Sequence, residues 1–161
     1  MLFRSRREVV SLADPARRDR FVSIGGGTFS ENPVTMTAGL ATLRHLRKNA
    51  AQVYEALDQR GERIRAGGDA ALSEGGLKAS TTGLGSLFLT HFGGRPRNAE
   101  DSAMDDRELA LGYAMHLMSS GNFVLPGHPG GVSTAHTGKD VEELIEQSRR
   151  FGALAGKKGR K

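Results

Sequence analysis

The chain reads as an α+β domain, a small antiparallel sheet covered by helices with one long helix among them. Three observations predict this. Apolar residues recur at three- and four-residue steps after Pro33, the period of a helix with one buried face. Between Leu77 and Phe92 the pattern changes to short runs rich in Leu, Thr and Phe, separated by Gly83 and Gly85, as two adjacent strands read. Helix-type and strand-type runs then alternate to the end without an internal repeat, an order that suits helices laid on one face of a small sheet. With 161 residues, 37% of them hydrophobic and 25% charged, the chain is long enough for one domain with a core.

Each element has its own signals. Residues 4–14 suit a short amphipathic helix with Val9, Val10 and Leu12 on one side, stopped by Asp14-Pro15. Phe21 to Ile24 reads as a brief strand running into Gly25-Gly26-Gly27. Asn32 is placed to cap a helix whose first residue is Pro33, where a missing N–H costs nothing. From there Met36, Leu40, Leu43, Ala50, Val53, Leu57 and Ile64 predict one helix to about Arg65, with Asn49 or Gly61 as a possible bend and Gly67-Gly68 as its end. Leu77–Thr82 and Ser86–Phe92 are the paired strands, and residues 93–104 a polar loop. A helix is expected from Asp105 or Asp106 to Ser120, stopped by Gly121. Phe123–Leu125 and Val132–His136 read as strands around the tight loop Pro126–Gly131. Thr137 should cap the last helix, with Asp140 in the capping-box position, and Val141, Leu144, Ile145, Ser148 and Phe151 on its inner face.

Charge and composition exclude several classes. The absence of cysteine removes disulfides, thiolate metal sites and cysteine nucleophiles, and makes a reducing cytoplasm the expected compartment. No run approaches the roughly 18 apolar residues that span a membrane. The net charge of +5 suggests nucleic acid, but its distribution argues otherwise. Residues 1–20 carry +3 and the tail 156–161 carries +4, which leaves −2 on everything between. A nucleic-acid surface needs its basic patch on the folded body, interleaved with aromatics, and aromatics here are only 6%. His45, His91, His116, His128 and His136 have no spacing that suggests a shared metal. His128, held in a Pro/Gly loop, is the one candidate among them for a substrate or cofactor contact, while His136 is placed to bond local backbone.

Three blocks carry a family resemblance: Gly26 to Leu43; Gly85-Ser86-Leu87-Phe88; and Gly121 to Pro126 followed by Val132 to Thr137. In this order and spacing they resemble the C-terminal part of the class III pyridoxal-phosphate-dependent aminotransferases, nearest to the glutamate-1-semialdehyde aminomutase group. The resemblance implies the C-terminal domain of the fold type I transferase fold. It divides the chain into an N-terminal helix and phosphate-contact loop (1–32), a long interface helix (33–66), a small α+β domain (67–155) and a basic, flexible tail (156–161). It implies that Gly27 and Thr28 contact the phosphate of pyridoxal 5′-phosphate bound mainly by a neighbouring subunit. The chemistry suits that role, because glycines present amide donors at close range and Thr28 adds a hydroxyl. Glu31 departs from the small or neutral residue usual there, and His128–Gly131 departs from the aromatic- and Glu-bearing stretch of the aminomutases.

The resemblance assigns no catalytic residue here. Its Schiff-base lysine belongs to a large domain preceding the matched region, and Lys48, Lys78, Lys139, Lys157, Lys158 and Lys161 all lie in the wrong context. None follows an apolar strand into a Gly-rich turn, where an amine is desolvated and activated. The implied partners are a second copy or a chain supplying the large domain, and the implied reaction of the complete enzyme is amino-group transfer, with this chain inactive alone. Two other readings stand beside it: a non-catalytic dimerisation module, and a basic-tailed binder of anions or nucleic acid.

Overall fold

The structure, a computed structural model, describes residues 7–14, 16 and 32–158. The chain divides into two compact units, Met1–Ala50 and Ala51–Lys161. The expected strand at Phe21–Ile24 and the glycine loop after it lie outside the described residues.

In the first unit, the described part of the helix expected over 4–14 is one α-helical turn, α1 (Arg7–Val10), followed by a 3-10 turn, Ser11–Ala13. Asp14 then accepts from the backbone N–H of Ala16 at 2.9 Å, so its side chain favours a turn over a further helical residue. Helix α2 (Pro33–Lys48) starts as its sequence predicts. Asn32 is extended (φ −61°, ψ 125°), and its side-chain oxygen accepts from Val34 and Thr35 N–H at 2.9 and 3.3 Å. Its end differs from expectation. A single helix to Arg65 is replaced by α2 and a separate α3 (Ala50–Glu74), divided at Asn49. The Asn49 side-chain amide donates to the carbonyl of His45 at 2.9 Å, and φ −113°, ψ 20° at that residue takes it out of the helix.

The second unit is built on α3. Gly67-Gly68 does not end this helix. Both glycines are buried within it, and a Cβ on Gly67 would lie 2.5 Å from Cδ1 of Ile145. At Gly67 that packing outweighs the poor helix propensity of glycine. The stop is Gly76, with φ +81°: its N–H donates to Ser73 O and the Leu77 N–H to Leu72 O, the paired bonds of a glycine C-terminal motif.

Strands β1 (Ala79–Thr82), β2 (Leu87–Phe92) and β3 (Gly130–Gly131) form an antiparallel sheet in the order β1-β2-β3, with Thr81 opposite Thr90 and Leu87 opposite Gly131. The strands expected at Phe123–Leu125 and Val132–His136 are absent; the third strand is the glycine pair between them. Val132 N–H still reaches Ser86 O at 3.0 Å, but Ser133 to His136 then close a turn that removes the chain from the sheet. The polar loop 93–104 contains a short helix, α4 (Ala99–Ala103), capped by Asn98.

Helix α5 (Arg107–Ser119) is capped by Asp106, whose carboxylate accepts from Leu109 N–H at 3.0 Å. Helix α6 (Gly138–Lys158) opens with the expected capping box: Thr137 N and Oγ1 donate to Asp140 at 2.6 and 2.8 Å. It continues through Lys158, into the stretch expected to be a flexible tail. Helices α3, α5 and α6 cover the face of β2 that carries Phe88 and Phe92, whereas Leu87 on the other face is half exposed. Phe92, Tyr113 and Phe151 meet edge-on or tilted, with ring centroids 5.3–6.1 Å apart. Helix α6 approaches the end of α3 so closely that a Cβ on Gly156 would sit 1.8 Å from O of Gly75, the residue after that helix. Arg63, forked onto Glu142, and Arg149, bonded to Glu74, tie the same two helices at the surface.

Candidate functional site

Around the start of β2 the sheet, the irregular segment after α5 and the start of α6 enclose a half-open cleft of about 650 Å³. Its wall is set by backbone. Gly130 lies against Phe88, where an added Cβ would come within 2.4 Å of the ring, so only glycine lets the loop close on that side chain. Gly121, at φ +87°, turns the chain from α5 into the segment that carries Phe123 along the rim. Phe88, Ile64, Val141 and Leu144 make the apolar interior. Asn122, His136 and Asp140 are the polar side chains that line it.

The electrostatics of the cleft follow from hydrogen bonding. Asp140 accepts from the backbone N–H and then the hydroxyl of Thr137, which hold its carboxyl below the ordinary aspartate range. His136 Nδ1 lies 3.0 Å from both the backbone N and the Oγ of Ser133. A backbone N–H can only donate, so Nδ1 is the acceptor and the neutral ring carries its proton on Nε2. The expectation that His136 bonds local backbone is met.

The other histidines separate clearly. His45 is exposed on α2. His116 is half-buried, with Nε2 3.1 Å from Gln147 O and its ring tilted against Phe151. His128 is exposed at the edge of a smaller cleft of about 280 Å³, together with Asp105, Arg107 and Tyr113. His91 is buried between Asp105, 2.6 Å from Nδ1, and the Thr82 hydroxyl, 2.9 Å from Nε2. This Thr-His-Asp chain was not visible in the sequence, because its members come from both strands of a hairpin and from a residue 14 positions beyond His91. Neither of these two clefts is lined by Thr82 or His91. The triad therefore locks β1, β2 and the start of α5 together, and it reaches cleft space through Asp105, which lines the smaller cleft beside His128. Tyr113 is buried too, its hydroxyl 2.7 Å from Ser148 Oγ, and burial pushes its phenol above the usual value.

Gly27 and Thr28, the sequence-predicted phosphate contacts, lie outside the described residues. Lys48, Lys78, Lys139 and Lys157 are all exposed, so none fits a covalent anchor, which needs a desolvated amine. Among the described residues no cluster of His, Asp or Glu has the arrangement of a metal site, and no helix is long and apolar enough to cross a membrane.

No protein-family model matches the chain. Glutamate-1-semialdehyde 2,1-aminomutase of Methanosarcina acetivorans is 28% identical over 147 residues, covering 90% of this chain and 33% of the relative; the protein of the same name from Akkermansia muciniphila is 35% identical over 126 residues, 76% of this chain and 29% of that relative. Among solved structures, an omega-transaminase from Sphaerobacter thermophilus superposes with a TM-score of 0.70 at 31% identity, over 94% of this chain and 34% of that one. The chain thus spans about a third of the length of the proteins it matches. Sequence and fold agree in placing that third at the C-terminal end, and the chain belongs to the class III pyridoxal-phosphate-dependent aminotransferases, among relatives of the glutamate-1-semialdehyde aminomutase type.

Proposed function

We propose that this chain serves as the small-domain part of an enzyme that moves an amino group with pyridoxal 5′-phosphate, within an assembly whose other part supplies the covalent anchor. The observation that supports this best is the likeness over 94% of the chain to a solved transaminase, joined to the exposure of the described lysines. The cofactor, when bound, supplies the electron sink for such chemistry; this chain's share is to shape and bind.

In this reading Gly27 and Thr28 hold the cofactor phosphate across a subunit boundary, the partner is a second copy or a chain carrying the large domain, and the compartment is the cytoplasm. α2 supports the need for a partner. It buries none of its residues, and Leu40 and Leu43 lie on it 41% and 53% exposed. Most helical stability in proteins comes from packing an apolar face, which a partner would supply to α2.

Two experiments test the reading. Mixed with pyridoxal 5′-phosphate and reduced with borohydride, the purified chain should give no single stoichiometric pyridoxyl-lysine; such an adduct together with turnover would refute it. In an assembly reconstituted with a large-domain partner, Thr28→Ala should weaken cofactor binding. Loss of one hydrogen bond to a charged acceptor costs roughly 1.5–3 kcal/mol, about ten- to a hundred-fold in affinity. Thr28→Ser should keep most of it. Unchanged binding by Thr28→Ala would make the glycine loop only a turn.

A further inference from the structure

We infer that the 650 Å³ cleft beside Phe88 is a binding site for a small, uncharged, aryl-bearing molecule with one hydrogen-bond acceptor, to which His136 donates. The size falls among small-ligand sites rather than helix-docking grooves. Two aromatic side chains line it: Phe88 in the wall and Phe123 at the rim, where a phenylalanine is left 79% exposed. An aromatic lining suits a planar apolar ring.

The polar end of the ligand follows from the tautomer of His136. With Nδ1 engaged by the Ser133 backbone N–H, Nε2–H is the free arm, and among the described residues nothing accepts from it. A carbonyl or ether oxygen is its complement. A carboxylate is disfavoured, because no lysine or arginine lines the cleft and the one carboxylate that does, Asp140, is held ionised by Thr137. The nearby Arg63 is spent on Glu142, and Arg60 donates to the Ser133 carbonyl outside the lining. All of the residues that line the cleft belong to the second unit.

Three probes of matched shape test this on the full chain: acetophenone, benzoate and ethylbenzene, followed by NMR shifts of the Ile64, Val141 and Leu144 methyl groups. Acetophenone should shift them saturably. Benzoate should bind about two- to fivefold more weakly, the scale of one exposed charge contact. His136→Ala should weaken acetophenone by about two- to tenfold, the range of one hydrogen bond, and leave ethylbenzene unchanged. Ala135→Trp, filling the space from an exposed rim position, should abolish all three. Benzoate binding as tightly as acetophenone, shifts that survive Ala135→Trp, or no saturable shift in the parent chain would each overturn the assignment. The parent-chain comparison decides the matter even if a variant fails to fold.

Discussion

Helices α2 and α3 follow one another with the same apolar period, yet α2 buries no residue and α3 buries seven. Three of those seven are glycines, Gly61, Gly67 and Gly68; at Gly61 and Gly67 a neighbour stands where a side chain would, and at Gly68 Thr81 lies in ordinary contact. The one glycine inside α2, Gly39, has nothing within 4 Å of the place its Cβ would take. Period alone reports which side of a helix seeks cover. Whether cover exists shows instead in what the small residues touch.

The strongest way to break this contrast is a matched pair of substitutions. Gly61→Ala in α3 would drive a methyl to within 1.9 Å of the Gly85 carbonyl, which also accepts from Arg65. Backbone would have to move, so we expect a loss of about 2–3 kcal/mol in urea unfolding despite the better helix former. A neutral result would mean that the contact of α3 with the β1–β2 turn is not tight in solution.

On the covered side, Tyr113→Phe should lose about 1 kcal/mol at neutral pH through the broken bond to Ser148. Its pH profile is the sharper test. Burial raises the folded-state value above the ordinary 10.0, so the stabilising preference for the neutral phenol is complete below that value and is lost as pH rises through the folded one. The parent should weaken above about pH 10 and Tyr113→Phe should weaken less steeply; parallel profiles would place the phenol in water.

For the uncovered helix, Asn32→Ala should cost about 1 kcal/mol of local helix stability. Hydrogen exchange at Val34 and Thr35 should quicken, while the main unfolding transition, carried by the second unit, stays where it was. A matching drop in that transition would show that α2 is packed after all. Gly39→Ala should act oppositely and more weakly, slowing exchange along α2 by the roughly 0.5–1 kcal/mol of helix propensity gained.

The smallest expected effect is acidic. Asp140 is depressed in the fold by Thr137, and Glu142 by Arg63. Their stabilisation is present above the ordinary carboxylate values of 3.8 and 4.5 and is lost as pH falls through the lower folded ones. Asp140→Asn should flatten the acid limb of a melting-temperature profile, and an unchanged limb would remove the capping box from the account.

What the sequence determined by itself was local. Asn32 with Pro33, Asp106, and Thr137 with Asp140 mark helix starts because a cap bonds only to its own next few amides. The β1–β2 hairpin was legible for the same reason, from its glycines and apolar runs, and the three motif blocks carried the family. The candidate site was legible only in part: His136 was placed correctly against local backbone, but the cleft it lines was not foreseen. Tertiary structure decided what depends on distant neighbours. Gly67-Gly68 looks like a helix end until Ile145 and Thr81 stand against it. Val132–His136 looks like a strand until the turn into α6 takes its residues away. The Thr82–His91–Asp105 chain exists only once a hairpin and a helix start are folded together. Close packing rewards small or polar residues at single points set by the partner surface, and that surface is absent from any window of the chain.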